Sequence, residues 1–349
     1  MKFVPKPDHS KAKIDTAAEM LINSNPDSQQ YKEALDIVNQ WRTCHAYPLN
    51  TFKTTLKRKA QKYESSIVAQ RLKRLPTILE KLTRFKTMKL TQMQDIGGIR
   101  AVVASVDEVK KLQKEYKEGG RFSHELVKEN DYIEKPKTDG YRGVHLVYRY
   151  NNTLARNGQA ERYRGLHIEL QIRTHLQHIW ATAVETIGTL KGESFKTGRG
   201  GREWREFFEL ISSAFAIVER GTVLPQHSGM TALQIFQKIK SHQENLKLYD
   251  NLTGLTAVVT HMNNTPGGGY YNIIKLDIAK KEASIISFTK SELYKATEIY
   301  AAMERGAEPD TDIVLVSVGD LKSLKAAYPN YFLDMNEFSK LIQIIINEV

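Results

Sequence analysis

Residues 166–174 read Leu-His-Ile-Glu-Leu-Gln-Ile-Arg-Thr and alternate with a period of two. On a strand, Leu166, Ile168, Leu170 and Ile172 take one face, while His167, Glu169, Gln171 and Arg173 take the other. A solvated strand face ordinarily carries Lys, Glu or Thr. This one carries an acid, an amide, an imidazole and a guanidinium, groups that can converge on a substrate. Three other segments hold compatible chemistry. If residues 71–81 are helical, Arg71, Arg74 and Lys81 lie near one face with Lys73 at its flank, although such a run taken alone is more often a solvated basic face. Residues 95–100 set paired glycines between Asp95 and Arg100, which a simple turn into a strand also explains. Residues 137–145 place Tyr141, able to stack on a base, beside a glycine turn with cations for phosphate. Asp95 and Glu169 offer the oxygen ligands that Mg²⁺ takes, and Arg71, Lys73 and Arg100 can offset a polyphosphate's charge.

Several elements must position these groups. Apolar spacing predicts helices through residues 10–90, with Asn25-Pro26-Asp27 opening one, Pro48 breaking one and residues 67–85 continuing the pattern. A strand over 97–104, a helix over 107–119 and a loop-rich stretch over 121–139 follow. Strands over 143–150 and 166–173 then flank a turn, and a helix spans 175–190 with His178, Trp180 and Glu185. Residues 192–203 read as a flexible basic loop, and helices near 204–220 and 230–249 close a first unit. A second unit starts near Leu252. There two apolar runs flank Thr265-Pro266-Gly267-Gly268-Gly269, a hairpin-type signal, followed by residues 283–288, a helix over 290–305, a strand over 312–318 and two helices. The runs 257–259, 273–278 and 313–318 are expected in its core.

With 41% hydrophobic and 26% charged residues, the composition is that of an ordinary globular protein. The single cysteine, Cys44, excludes an internal disulfide framework and a cysteine-rich zinc site, and is expected to be a buried thiol. No apolar run approaches membrane-spanning length and the first residues lack an apolar leader core, so a cytoplasmic location without a membrane partner is expected. Net charge is +11 and uneven. Residues 230–349 hold 12 basic and 14 acidic residues, leaving 39 basic and 26 acidic in 1–229, a net of +13. That suggests a first unit that meets phosphate and a second that meets protein.

The four segments, in this order, resemble the synthetase domain of the RelA/SpoT family. The matching residues are Arg71, Lys73, Thr77, Ile78, Lys81 and Leu82; Asp95, Gly98 and Arg100; Lys137, Gly140, Tyr141, Arg142 and His145; and Glu169, Gln171, Ile172, Arg173 and Thr174. His178, Trp180, Ala181 and Glu185 add a helical match, and the resemblance covers about residues 30–220. It implies an α+β fold, a mixed β-sheet flanked by helices of nucleotidyltransferase type, here with a small C-terminal α/β domain. It also implies a pyrophosphokinase that moves pyrophosphate from ATP to a ribose 3′-hydroxyl. By that resemblance Arg71 and Arg100 sandwich adenine, and Lys73 and Lys81 hold phosphates. Asp95 and Glu169 bind Mg²⁺, and Glu169 also activates the hydroxyl. Tyr141 stacks on the acceptor base, with Lys137, Arg142, His145, Gln171 and Arg173 completing the acceptor site.

Gly143-Val144, where housekeeping members have serine and leucine, resembles the toxic small members that modify the 3′-terminal adenosine of tRNA. The basic first unit fits an RNA acceptor, with Lys53, Lys57, Arg58, Lys59, Lys62 and the 196–205 loop as candidate contacts. A first domain over 1–250 followed by a regulatory domain over 251–349 resembles the CapRel family of fused toxin–antitoxins used in anti-phage defence. That resemblance implies autoinhibition through Tyr328 and Tyr331, activation by a phage major capsid protein, and an abortive-infection role; a monomer is favoured. The alternative acceptor is a free nucleotide, giving (p)ppGpp or (p)ppApp.

Overall fold

The computed structural model describes residues 3–119, 122–151, 158, 160–191, 195, 201–248, 258–261, 269–308, 310–317 and 321–348. The basic loop at 196–200, the boundary at 250–251, Ala257, Val318 and the expected turn residues 265–268 lie outside these. Three helices lead: α1 (Lys11–Asn23), α2 (Gln29–Thr43) and α3 (Ala46–Ala60). Ser10 and Ser28 cap the first two, their hydroxyls accepting from the backbone N–H groups of Lys13 and Tyr31. Pro48 does not break a helix; it sits in the first turn of α3, where its missing N–H costs nothing. Cys44 is buried, and its thiol donates to the Trp41 carbonyl at 3.0 Å.

The single helical stretch expected over 67–85 is two elements, strand β1 (Ile67–Leu72) and helix α4 (Leu75–Arg84). Pro76 is the physical reason. Inside a long helix it would remove a hydrogen bond and clash with the preceding turn, whereas in the first turn of α4 it does neither. Arg71 and Lys81 therefore do not share a helix face. Next come β2 (Gly97–Val103), α5 (Val106–Glu118), β3 (Glu125–Asp131), β4 (Val144–Arg149) and β5 (His167–Thr174). Strand β3 corrects the expected loop over 121–139; as a charged edge strand it carries little apolar signal. Helices α6 (His175–Lys191), α7 (Arg202–Val218) and α8 (Ala232–Asn245) follow. The remaining elements are β6 (Val258–His261), β7 (Tyr271–Asp277), β8 (Glu282–Phe288), α9 (Leu293–Arg305), β9 (Thr311–Ser317), α10 (Leu321–Ala327) and α11 (Asn336–Asn347).

Among the described residues, nine strands form one mixed sheet in the order β3-β4-β5-β2-β1-β9-β7-β8-β6, with helices around it, as the α+β expectation required. The β2–β5 and β6–β8 pairs are parallel and the rest antiparallel. The expected β6–β7 hairpin does not form. The β7 run Tyr271–Leu276 is almost wholly buried and takes a central place between β9 and β8, leaving β6 at the edge. Strand β9 pairs with β1 through Gln70↔Ser317 and Arg71↔Val316, so the last hundred residues extend the sheet of the first unit. Helix α11 packs on α6 and α8, and its Phe338 ring centroid lies 6.5 Å from that of Phe207 and 6.2 Å from that of Phe208 on α7.

A buried ion cluster fastens the same junction. Arg42 on α2 pairs with Glu304 on α9 at 2.5 Å, both nearly inaccessible. Glu304 also accepts from the Leu75 backbone N–H at 3.2 Å and from the Tyr300 hydroxyl at 2.7 Å, while Asp312 pairs with Arg74. These extra hydrogen bonds offset the desolvation that a buried ion pair costs.

Candidate active site

Cross-strand register turns the period-two pattern of β5 into a surface. On its polar face one row runs Val147–Glu169–Gly98–Arg71 across β4, β5, β2 and β1; the next runs His145–Gln171–Arg100–Ala69. Leu166, Ile168, Leu170 and Ile172 are buried on the opposite face. Gly98 leaves a gap between Glu169 and Arg71, since a side chain there would meet nothing closer than 3.9 Å. Helix α4 forms the facing wall. Its Leu75, Ile78 and Leu82 are buried, while Thr77, Lys81 and Arg84 look into the space. Together they enclose a cavity of about 850 Å³ that also takes in Lys73, Asp95, Tyr132, Lys137, Tyr141, Arg173, Glu185 and Tyr328.

Asp95 is strapped on both oxygens, by Lys73 at 3.0 Å and Lys81 at 2.9 Å. Burial alone would raise its carboxyl, but the two ammonium groups outweigh that and hold it at about 2. For Lys73 the balance goes the other way: burial pulls the ammonium below its ordinary value despite Asp95. The strap therefore favours the carboxylate more than it repays the lysine.

Glu169 sits in a hydrogen-bonded chain instead. Its Oε1 meets His145 Nδ1 at 2.8 Å and its Oε2 accepts from Gln171 Nε2 at 2.8 Å. Arg173 donates to Gln171 Oε1 at 2.7 Å, and His145 Nε2 lies 2.5 Å from the Tyr141 hydroxyl. With Nδ1–H donating to the carboxylate, Nε2 accepts from the tyrosine, so every partner agrees on one tautomer. Burial works against ionisation of Glu169, yet His145 and Gln171 bring its carboxyl below the ordinary value. Two glycines shape the turn behind Tyr141. Gly140 (φ +93°) and Gly143 (φ +144°) occupy backbone regions that favour glycine, and a side chain at 140 would press within 3.0 Å of Trp180 and Ser212.

The two arginines of the cavity differ. Burial opposes the Arg71 charge most strongly, but Glu185 together with Tyr331 and Tyr328 outweighs it and the guanidinium is raised. Arg100 is pulled down to about 10 by burial and by nearby Arg173, and its Nε has no hydrogen-bond partner among the described residues. Its compensation comes from the C-terminal segment. The Tyr328 ring centroid lies 5.2 Å from Arg100 Cζ, and the guanidinium donates to the Ala327 carbonyl. His178 reaches the preceding carbonyl, Ala326, at 2.9 Å, so two groups of the first unit cap the exposed carbonyls at the end of α10. The Tyr328 hydroxyl donates to the Gln70 carbonyl at 3.0 Å, fixing the ring.

Not every expected residue arrives. Arg142 points away from the cavity and is buried, its Nε donating to Ser212 Oγ at 3.1 Å, because successive residues after the Gly140 turn face opposite sides. Tyr331 is also buried outside the cavity, in the core formed with Tyr328, Phe332 and Leu333. None of Lys53, Lys57, Arg58, Lys59 and Lys62 lines it. Lys53 is buried, donating to Ser317 Oγ at 2.5 Å over the Tyr270 ring, so β9 has covered it. Lys59 and Lys62 pair with Glu115, while Lys57 and Arg58 stay exposed on α3. Sequence reasoning missed Tyr132 and the lysine–carboxylate strap. Tyr132 lies just beyond a strand it read as loop, and the strap closes across 14 and 22 residues of chain.

A family model described as a region found in RelA / SpoT proteins matches residues 70–189, the segment that supplies every one of these cavity groups except Ala69 and Tyr328. Two curated relatives from Bacillus subtilis (strain 168) align with it. GTP pyrophosphokinase YjbM is 34% identical over 123 residues, covering 34% of this chain and 54% of that protein. GTP pyrophosphokinase YwaC is 31% identical over 126 residues, covering 34% and 55%. The chain thus spans about half the length of the curated relatives it matches. Among solved structures, small alarmone synthetase 1 from Bacillus subtilis is 24% identical, with a TM-score of 0.43 over 55% of this chain and 94% of that one. A GTP pyrophosphokinase family protein from Streptococcus pneumoniae gives 24%, 0.43, 55% and 91%. Among the described residues, no helix is long and apolar enough to cross a membrane.

Proposed function

We propose that this chain is a pyrophosphokinase that moves the pyrophosphate of ATP to the 3′-hydroxyl at the CCA end of tRNA, which blocks translation. The observation that carries the transfer reading is the placement of Glu169 and Asp95 with Arg71, Arg100, Lys73 and Lys81 around one gap above Gly98. In this reading the 3′-oxygen attacks the β-phosphorus of ATP, the α–β bridging bond breaks, AMP leaves, and the hydroxyl proton goes to Glu169. His145 and Gln171 keep that carboxylate ionised and aimed. Arg71 and Arg100 receive the adenine, Lys73 and Lys81 the phosphates, and Tyr141 with Lys137 the acceptor. Among the described residues no cluster of three or more metal-binding side chains gathers. Asp95 and Glu169 are a two-carboxylate oxygen set, which suits a Mg²⁺ ion that takes its remaining ligands from phosphate and water. Held there, Mg²⁺ supplies charge neutralisation on the polyphosphate.

The last hundred residues act in this reading as a restraint. Tyr328 occupies the face of Arg100 on which adenine would stack, so ATP and the C-terminal segment compete for one guanidinium. A phage protein, a major capsid protein in particular, would bind the second unit and release it, giving abortive infection. The +13 charge of residues 1–229 supports an RNA acceptor. A second reading, synthesis of (p)ppGpp or (p)ppApp from a free nucleotide, is favoured by the names of the two relatives. The test uses full-length Tyr328→Ala, because a fragment ending at 250 would lose β9 and α11 from the sheet and core. With β-labelled ATP, label on tRNA but not on GDP, GTP or AMP supports the tRNA reading. Label mainly on a free nucleotide establishes the second, and no transfer to either rejects both.

A further inference from the structure

The polar face of the sheet does not stop at the reaction centre. Asn130 on β3 pairs with His145 and Lys128 with Val147, so both rows continue to the sheet edge. Tyr132 follows with its ring 5.3 Å from His145 and 5.8 Å from Tyr141. Lys137 Nζ lies 4.6 Å from the Tyr132 ring centroid and 5.0 Å from that of Tyr141. The two faces of β3 are treated differently. On the far face Glu129 and Asp131 are satisfied by Lys117, Gln113 and Lys110 of α5. On the cavity face Lys128 is exposed, and among the described residues no carboxylate pairs with it or with Lys137. Lys128 stands two strands from Glu169, about 10 Å at the usual strand spacing. A free mononucleotide whose base rests on Tyr141 does not need a second ring, an amide and a further cation at that distance.

We propose that Lys128, Asn130 and Tyr132 form a subsite for the nucleotide on the 5′ side of the acceptor residue in a single-stranded RNA end. Tyr132 stacks on its base, Asn130 meets the base edge or the 2′-hydroxyl, and Lys128 meets the connecting phosphate. This rests on the RNA-acceptor reading and gives it a structural selector: an oligonucleotide fills the edge, a mononucleotide leaves it empty.

The test is equilibrium binding by the full-length chain of a short single-stranded RNA ending in 3′-CCA, against AMP, across a salt series. Tyr132→Ala should weaken the RNA about tenfold and AMP less than twofold, and Tyr132→Phe should restore RNA binding. Lys128→Ala should weaken the RNA and lower the slope of log affinity against log salt by about one. Equal losses for RNA and AMP, or no loss for RNA, overturn the subsite while leaving the RNA acceptor standing. A parent chain that binds AMP or GTP but no RNA overturns the acceptor reading and the subsite with it.

Discussion

Asp95 and Glu169 line the same cavity and bear the same charge, yet the fold holds them in opposite ways. Asp95 is gripped by two ammonium groups, Glu169 by an imidazole, an amide and, through that amide, a guanidinium. The first arrangement stores charge. Lys73 and Lys81 are paired with Asp95, and in the proposed reaction a polyphosphate would take its place and free its oxygen pair for a cation. The second arrangement fixes direction through a short hydrogen-bonded chain without swamping the group with positive charge, as the proton acceptor of the proposed reaction would require. One carboxylate is held by charge and the other by hydrogen-bond geometry.

The most direct way to break this comparison is Glu169→Gln. It keeps the shape of the chain but removes the base, and transfer should fall about 1,000-fold with ATP affinity changed less than threefold, measured by label transfer and calorimetry. A fall confined to ATP binding would make Glu169 another charge anchor. Glu304→Ala tests what a strapped carboxylate does away from the cavity. It leaves Arg42 buried without its partner and should cost about 3–5 kcal/mol in denaturant unfolding, against about 2 kcal/mol or less for Asp95→Asn by the same assay.

Tyr328→Ala sharpens the role of Arg100 in the same cavity. Removing the ring from Arg100 should raise transfer about tenfold at subsaturating ATP, and the gain should shrink as ATP saturates. An unchanged rate would make Tyr328 a packing residue. The last effect is in acid. Asp95 is held near 2 against an ordinary 3.8, so its stabilisation is complete above pH 4 and is lost as pH falls through 2. That amounts to about 2 kcal/mol, less whatever the buried Lys73 gives back, and Asp95→Asn should flatten this part of the acid-unfolding curve.

The sequence by itself determined the β5 alternation, the identity of both carboxylates and most of the cations around them. These are readable because side-chain facing repeats every two residues and because each motif is contiguous. It misplaced Arg71 and Lys73 on a helix, although Pro76 carried the correcting signal, and it read the charged edge strand β3 as loop. Tertiary structure alone decided the rest. Only strand register sets Gly98 between Glu169 and Arg71, and only folding brings Lys73, Lys81 and Asp95 together. The same holds for Lys53, whose charge suggested an RNA contact until β9 covered it, and for Tyr328, which meets Arg100 across more than two hundred residues. Local periodicity fixes which way a side chain points along its own element. What it points at depends on pairings between distant segments, and their energies come from burial and charge compensation that no short window of sequence contains.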